Sequence, residues 1–394
     1  MRLTTDTPEF NVQSDPSTRG TWGIFSTCLS TLIICVWTAV HVDTPAQRSL
    51  LWSILVKLGW MIIGLFAPEL LLLLAYRQWA AAQGLMQPLL DHNSNERQFQ
   101  SPWTLTHAFY ACMGGYAFDF PEVKEADSVI SPYGIKFLVN HFPHLLPEVS
   151  DDNICDRDQG SSLAKTISLV QLLWFCVNCA SRRTQGLPIS LLEVTTLAHA
   201  ICMFVTYLFW FDKPLDVNGP TLIADTPEAR QVCALIIKTT FETALYDMPN
   251  LPKGVNNDQV LLRPNSSLQS FILGDAVPGV EGVYRSGLAT PLLYAMYGIP
   301  HFIGWNAVFP TSIEQTLWRT ATIFITGWGV ILCIAVILIF RLYPHPKWSL
   351  IHVLIAFYGA ASVYVVTESL RQLFYLPPGA YELPSWSNYW PHFS

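Results

Sequence analysis

Residues 50–76 read LLWSILVKLGWMIIGLFAPELLLLLAY. Lys57 and Glu69 are the charged residues in this stretch. A helix rises about 1.5 Å per residue, so about 20 mostly apolar residues cross the hydrocarbon layer of a bilayer. Leu50–Tyr76 is longer than that, with Pro68 as a point where the helix can tilt or kink. A run this apolar argues for a chain built in lipid.

Similar stretches lie on both sides of it. Thr21–Val42 is a second span with Trp22 and Trp37 near its ends, and residues 42–48 form the short turn between the two. Ile189–Phe211, Thr320–Phe340 and Ser349–Leu370 are good spans. Trp103–Phe118 is shorter and reads as a half-span or interfacial helix. Ser168–Ala180 is short unless it extends back toward Lys165, and Pro291–Phe309 is interrupted by Pro300. The expected architecture is all-α: a polytopic transmembrane helix bundle of about six to eight membrane helices. A polar tail covers residues 1–20, and 21–394 form one helical transmembrane domain with long polar loops at 78–167 and 212–286.

Composition agrees with that class. Of 394 residues, 51% are hydrophobic and 13% charged, against about 25% charged in soluble domains. The net charge of −7 leaves no basic patch for nucleic acid. The polar first twenty residues lack the basic start and early apolar run of a signal peptide, so the first apolar segment is expected to stay in the membrane.

Arg182–Arg183 favours a cytosolic loop. Both long loops then face the lumen of an endomembrane such as the endoplasmic reticulum. The glycosylation sequon Asn265-Ser266-Ser267 falls on that side. Cys176 and Cys179 form a C-x-x-C inside an apolar segment, where helix packing is the plain reading. Cys155 and Cys233 lie in the polar loops and could pair in an oxidising compartment. The acidic run at Asp151-Asp152 lacks D-D-x-x-D spacing and reads as a solvated loop. No metal or cofactor motif is present.

Ionisable residues within spans cost about 2.5–3.5 kcal/mol on insertion scales, so they face a bundle interior or cavity. Glu69 follows Pro68, whose missing N–H can open a polar pocket. Tyr76, seven residues on, shares its face and could orient it. His107 lies on a polar-aromatic face with Trp103 and Tyr110, which an interfacial belt would also explain. Glu193 and His199 lie on two polar stripes of Ile189–Phe211, as expected of a helix buried on both sides. Glu368 and Arg371 are spaced i, i+3 and can pair. Pairing would keep Glu368 ionised and unable to give up a proton, so Glu69 is the first choice of acid and Glu368 the second.

Several segments resemble a large fungal family of integral membrane proteins. They include Arg19-Gly20-Thr21-Trp22-Gly23-Ile24, Trp103-Thr104-Leu105-Thr106-His107-Ala108-Phe109-Tyr110, Lys213-Pro214-Leu215-Asp216-Val217, Gly304-Trp305-Asn306-Ala307-Val308-Phe309-Pro310 and Leu317-Trp318-Arg319. Some members resemble the membrane-bound terpene cyclases of meroterpenoid pathways, of the ascofuranone and macrophorin type. The resemblance implies a lipophilic prenylated aromatic or quinone as substrate, protonation of an alkene or epoxide, and carbocation ring closure without a metal or cofactor. It assigns no catalytic residue; Glu69, His107, His199, Glu193 and Glu368 are candidates from the residue reading alone. The aromatic-rich spans, with Trp37, Trp60, Trp174, Trp210 and Trp305, could shield a cation at about 0.5–2 kcal/mol per ring. Two other classes stay open. A wax-synthase-like acyltransferase would use His107 with Asp119, or His199, to activate an alcohol. A transporter or scaffold would need no chemistry.

Overall fold

The computed structural model describes residues 19–40, 50–90, 103–121, 129–130, 132–150, 154, 162–214, 219–234, 280–342 and 348–384. The chain is mostly helical. Helix α1 spans Thr21–Ala39, α2 Leu50–Phe66, α3 Pro68–Leu90, α4 Leu105–Cys112 and α5 Pro132–His141. Then follow α6 (Ser162–Thr184), α7 (Leu191–Phe209), α8 (Val280–Gly298), α9 (Ser312–Leu342) and α10 (Trp348–Arg371). Two short strands, β1 (Tyr116–Phe118) and β2 (Thr221–Ile223), lie in the loops.

Four helical segments are long and apolar enough to cross a membrane: Thr21–Ala39, Leu191–Phe209, Ser312–Ala335 and His352–Phe374. A fifth arises if Lys57–Phe66 and Pro68–Met86, bent by 115° at their junction, count as one broken span. Their outer faces carry large apolar side chains, among them Ile62, Leu208, Ile323, Ile337 and Phe357, all more than half exposed. Large exposed apolar faces mark interaction sites, and a membrane is compatible with these.

Helix α7 is the hub, touching α1, α3, α6, α8 and α10. Its start is set locally. Ser190 Oγ accepts from the Glu193 N–H at 3.2 Å, and Glu193 Oε2 accepts from the Ser190 N–H at 3.0 Å. This reciprocal box satisfies two of the donors every helix N-terminus leaves open. Glu193, Thr195, His199, Cys202, Thr206 and Tyr207 are all buried, so both stripes of α7 face protein. Helices α8 and α9 pack closely through glycine: a Cβ on Gly298 would lie 2.5 Å from Thr326 Cα, and one on Gly329 2.7 Å from Pro291 Cα. Small residues at such crossings let backbones approach in lipid.

The structure departs from three expectations. Trp103–Phe118 is no half-span: α4 stops at Cys112 and the chain turns into β1. Strand β1 pairs in parallel with β2, in the register Tyr116↔Thr221 to Phe118↔Ile223, so the two polar loops join on one side of the bundle. Second, residues 78–90 are not loop but the end of α3, whose Ala80-Ala81-Ala82 run favours helix. Third, Arg182 lies in the last turn of α6 rather than in a loop. It is buried, donating to the carbonyl oxygens of Pro188 (2.9 Å), Ala380 (2.9 Å) and Glu382 (2.6 Å), while Arg183 stays exposed. The sequon at Asn265, Cys155 and the Asp151-Asp152 run lie outside the described residues.

Candidate functional site

The site begins with the broken backbone at Pro68. In an unbroken helix the N–H groups of residues 69 and 70 would bond the carbonyls of residues 65 and 66. Pro68 ends the ladder because it has no N–H. The Ala67 N–H still reaches Ile63 O at 2.7 Å, but the Leu70 N–H turns to Ala67 O at 3.0 Å. The open carbonyls are met from other helices. His199 Nε2 of α7 lies 2.8 Å from Leu65 O, and the Ser362 hydroxyl of α10 donates to Phe66 O. One proline thus ties α2, α3, α7 and α10 together.

Glu69 lies one residue past the break and is fully buried. The Tyr358 hydroxyl of α10 donates to its Oε1. Its Oε2 has no hydrogen-bond partner among the described residues. Tyr358 in turn meets Trp328 at 4.9 Å and the edge of Tyr294 at 6.1 Å between ring centroids. Tyr294, Tyr297 and Cys202 are within electrostatic reach of the carboxyl. The expected role of Tyr76 falls to Tyr358. Tyr76 packs instead on Trp79 and Phe209, at 6.3 and 5.5 Å.

A chain of rings continues from this point. Tyr297 stands edge-on to His199 at 5.2 Å and to His301 at 4.9 Å. His301 lies 5.9 Å from Trp318. His301 Nε2, Trp318 Nε1 and the Thr322 hydroxyl are buried without hydrogen-bond partners among the described residues. Native interiors leave few such atoms. With Glu69 Oε2 they run from the break, past Tyr297 of α8 and the 3-10 segment Ile299–Asn306, to the buried face of α9, while Gln372 Nε2 is unpaired elsewhere among the described residues.

The remaining candidates are held in other ways. His199 lies between two backbone carbonyls, with Nδ1 2.8 Å from Thr195 O and Nε2 2.8 Å from Leu65 O; the neutral ring has one N–H and donates to one of them. His107 belongs to the start of α4: Nδ1 accepts from the Thr104 N–H at 3.2 Å, which leaves Nε2–H to donate to Val149 O at 2.6 Å. Its ring stacks on Trp103. Glu193 caps α7 and pairs with Arg19. Glu368 takes the pair expected of it, accepting from Arg371 at 2.8 and 3.0 Å, and Arg371 also reaches Glu314 at 2.8 Å. Of the five candidates, Glu69 and His199 meet at the break.

The sequence reading missed Tyr358, Tyr297, His301 and Trp318. For Tyr358 a signal exists: Tyr358, Ser362 and Ser369 share the buried face of α10. His301 sits in the segment broken by Pro300, where no helix periodicity marks a face.

The segments that carry the family resemblance are mainly joints. The Lys213 ammonium donates to Gln78 Oε1 at 2.9 Å and lies 4.6 Å over Trp210. Arg319 donates to Trp305 O at 3.0 Å and lies over its ring. The Arg19 N–H donates to Tyr381 O at 3.1 Å. Among the described residues no group of three His, Cys, Asp or Glu side chains is placed to hold a metal ion.

No curated protein and no solved structure matches the chain. A protein-family match covers residues 2–244, more than half of its length, and the chain belongs to that family, described as "Family of unknown function (DUF8562)".

Proposed function

We propose that this protein is a membrane-bound terpene cyclase that closes rings on a prenylated aromatic or quinone of the epoxyfarnesyl type, with Glu69 as the initiating acid. One observation carries the reading. Glu69 is buried without an ion pair among the described residues, held on one oxygen by Tyr358 and open on the other, beside Trp328, Tyr294 and Tyr297. A carboxylate buried without a countercharge is costly. The neutral acid is cheaper to bury there and has a proton to give.

The step follows from that arrangement. Glu69 gives its Oε2 proton to the epoxide oxygen, the C–O bond breaks toward the more substituted carbon, and a chain alkene attacks that carbon. Each closure uses the π bond of the attacking alkene to make the new C–C bond and leaves the positive charge on that alkene's other carbon. Proton loss ends the sequence, so product and substrate are isomers. Ring faces lower the energy of the passing cation by about 0.5–2 kcal/mol each. The substrate dissolves in the bilayer and enters between helices.

We assign α6 as a further span. Its Ile167, Val170, Leu173, Trp174 and Val177 form an exposed apolar face like those of the other spans. With the broken pair this makes six crossings, in an endomembrane such as the endoplasmic reticulum with both long loops luminal. Endoglycosidase should then shift the mobility of wild type and not of Asn265→Gln.

The acyltransferase reading is less well supported, since both ring nitrogens of His107 are in hydrogen bonds and both of His199 lie against backbone carbonyls of its own and a neighbouring helix. Microsomes carrying the protein should convert an epoxyfarnesyl phenol to a product of the same mass and different retention. Unchanged substrate, with ester formed from an acyl donor and an alcohol, would overturn the proposal.

A further inference from the structure

We propose that His301 and Trp318 form a second polar subsite that holds a hydroxyl group of the lipophilic ligand. The inference rests on the cyclase reading for the kind of ligand, a prenylated phenol, and on the geometry for the group it binds.

The tautomer of His301 follows from its contact. Nδ1 lies 2.9 Å from Tyr297 O, and a carbonyl oxygen only accepts, so Nδ1 carries the proton. In the neutral ring Nε2 is then a bare acceptor, and it is buried with no partner among the described residues. Trp318, whose ring centre lies 5.9 Å from that of His301, supplies the complementary group: Nε1–H can only donate, and it too has no partner. Both residues are 1% exposed or less.

Two neighbours mark the place further. Thr31, Thr206, Thr316, Thr320 and Thr326 all donate their hydroxyls to the carbonyl four residues back in their own helices. Thr322, one turn on from Trp318, makes no such bond. Gly304 lets the indole sit where it does, because a Cβ there would lie 3.1 Å from Trp318 Nε1 and 2.6 Å from Leu191 Cδ2.

The pairing of one acceptor with one donor selects the ligand group. A hydroxyl donates to His301 Nε2 and accepts from Trp318 Nε1–H. A quinone carbonyl or an ether accepts from Trp318 but leaves His301 unmet. Tyr297 touches His301 with its ring and lies within reach of Glu69, so a ligand anchored here by its phenol has its prenyl chain directed along the aromatic path to the acid.

The test is binding, read apart from turnover. The full chain in lipid nanodiscs is titrated with 2-farnesylphenol and with its O-methyl ether. Wild type should bind the phenol about tenfold tighter, the worth of one buried hydrogen bond. His301→Phe should bring the two to parity, and His301→Gln, which keeps an acceptor, should retain a preference. Trp318→Phe should weaken both probes together. Equal affinity of wild type for phenol and ether, binding of neither, or a preference that persists in His301→Phe overturns the subsite; the first of these is also what a structural water in this place would give. If His301→Phe fails to fold, the comparison of wild type with His301→Gln and Trp318→Phe still decides. A phenol preference without any cyclised isomer would keep the subsite and sink the cyclase reading; cyclisation without the preference would do the reverse.

Discussion

Glu69 and Glu193 are both buried glutamates near the start of helices in an apolar bundle, yet their surroundings are opposite. Glu193 has every valence engaged. Oε1 pairs with Arg19, and Oε2 accepts from both the backbone and the hydroxyl of Ser190, at 3.0 and 2.9 Å. Glu69 has one phenol on one oxygen and nothing on the other among the described residues. A fully satisfied polar set fixes structure, because breaking it strands its partners. A polar group left open in a native interior has a reason to be there. Burial alone does not separate the two; the partner count does.

That comparison can be broken most directly at Glu69. Glu69→Gln keeps size and much of the hydrogen bonding but removes the proton. Cyclisation should fall by about a hundredfold or more, the range of a general acid, with expression and gel-filtration profile unchanged. Product formation by microsomes at near wild-type rate would make Glu69 a structural residue. Glu193→Ala should act the other way. It strands Arg19 and removes the side-chain half of the capping box of α7, for a loss of about 3–5 kcal/mol of stability. The yield of folded protein and its melting temperature should drop, while turnover per folded molecule holds. Loss of turnover at full stability would erase the distinction between the two glutamates.

Tyr358→Phe sharpens the contrast. It removes the phenol's hydrogen bond to Glu69 and leaves the acid, so the cost should be about tenfold in turnover. A loss as large as that of Glu69→Gln would move the proton donor to the phenol. The smallest effect belongs to Asp225. Its bonds to Arg230, at 2.6 Å each, hold its carboxyl below the ordinary value of 3.8 on an exposed loop. A depressed carboxylate contributes stability above its unfolded value and loses it as pH falls through the folded one. Asp225→Asn should therefore melt slightly below wild type at neutral pH, the small gap expected of a surface pair, and the gap should close below about pH 4. A clear loss at pH 7 would show that this loop contact matters more than a surface pair does.

Much of the bundle is legible along the chain. The apolar stretches at Thr21–Val42, Ile189–Phe211, Thr320–Phe340 and Ser349–Leu370 have counterparts among the helices, because length and hydropathy are local properties that lipid reads directly. Pro68-Glu69 also stands out, since a proline with an acid inside an apolar run is a local anomaly. The i, i+3 pair of Glu368 with Arg371 and the capping box of Ser190 with Glu193 are equally local. The partner of Glu69 was not. Tyr76 is the nearest tyrosine on its own helix face, but Tyr358 is the one that arrives, brought across 289 residues by the packing of α10 on the break.

The sequence by itself therefore determined that the chain is helical and suited to a membrane, where its main apolar helices run, and that the backbone breaks at Pro68 beside an acid. Each follows from groups within a few residues of one another. Only the tertiary structure decided which phenol meets that acid, that His199 and Ser362 lie against the carbonyls the proline leaves open, and that the rings of His301 and Trp318 come within 5.9 Å, each with a nitrogen unpartnered among the described residues. Those outcomes depend on which helix faces pack together, and helix packing brings side chains into register from distances along the chain that no local pattern records.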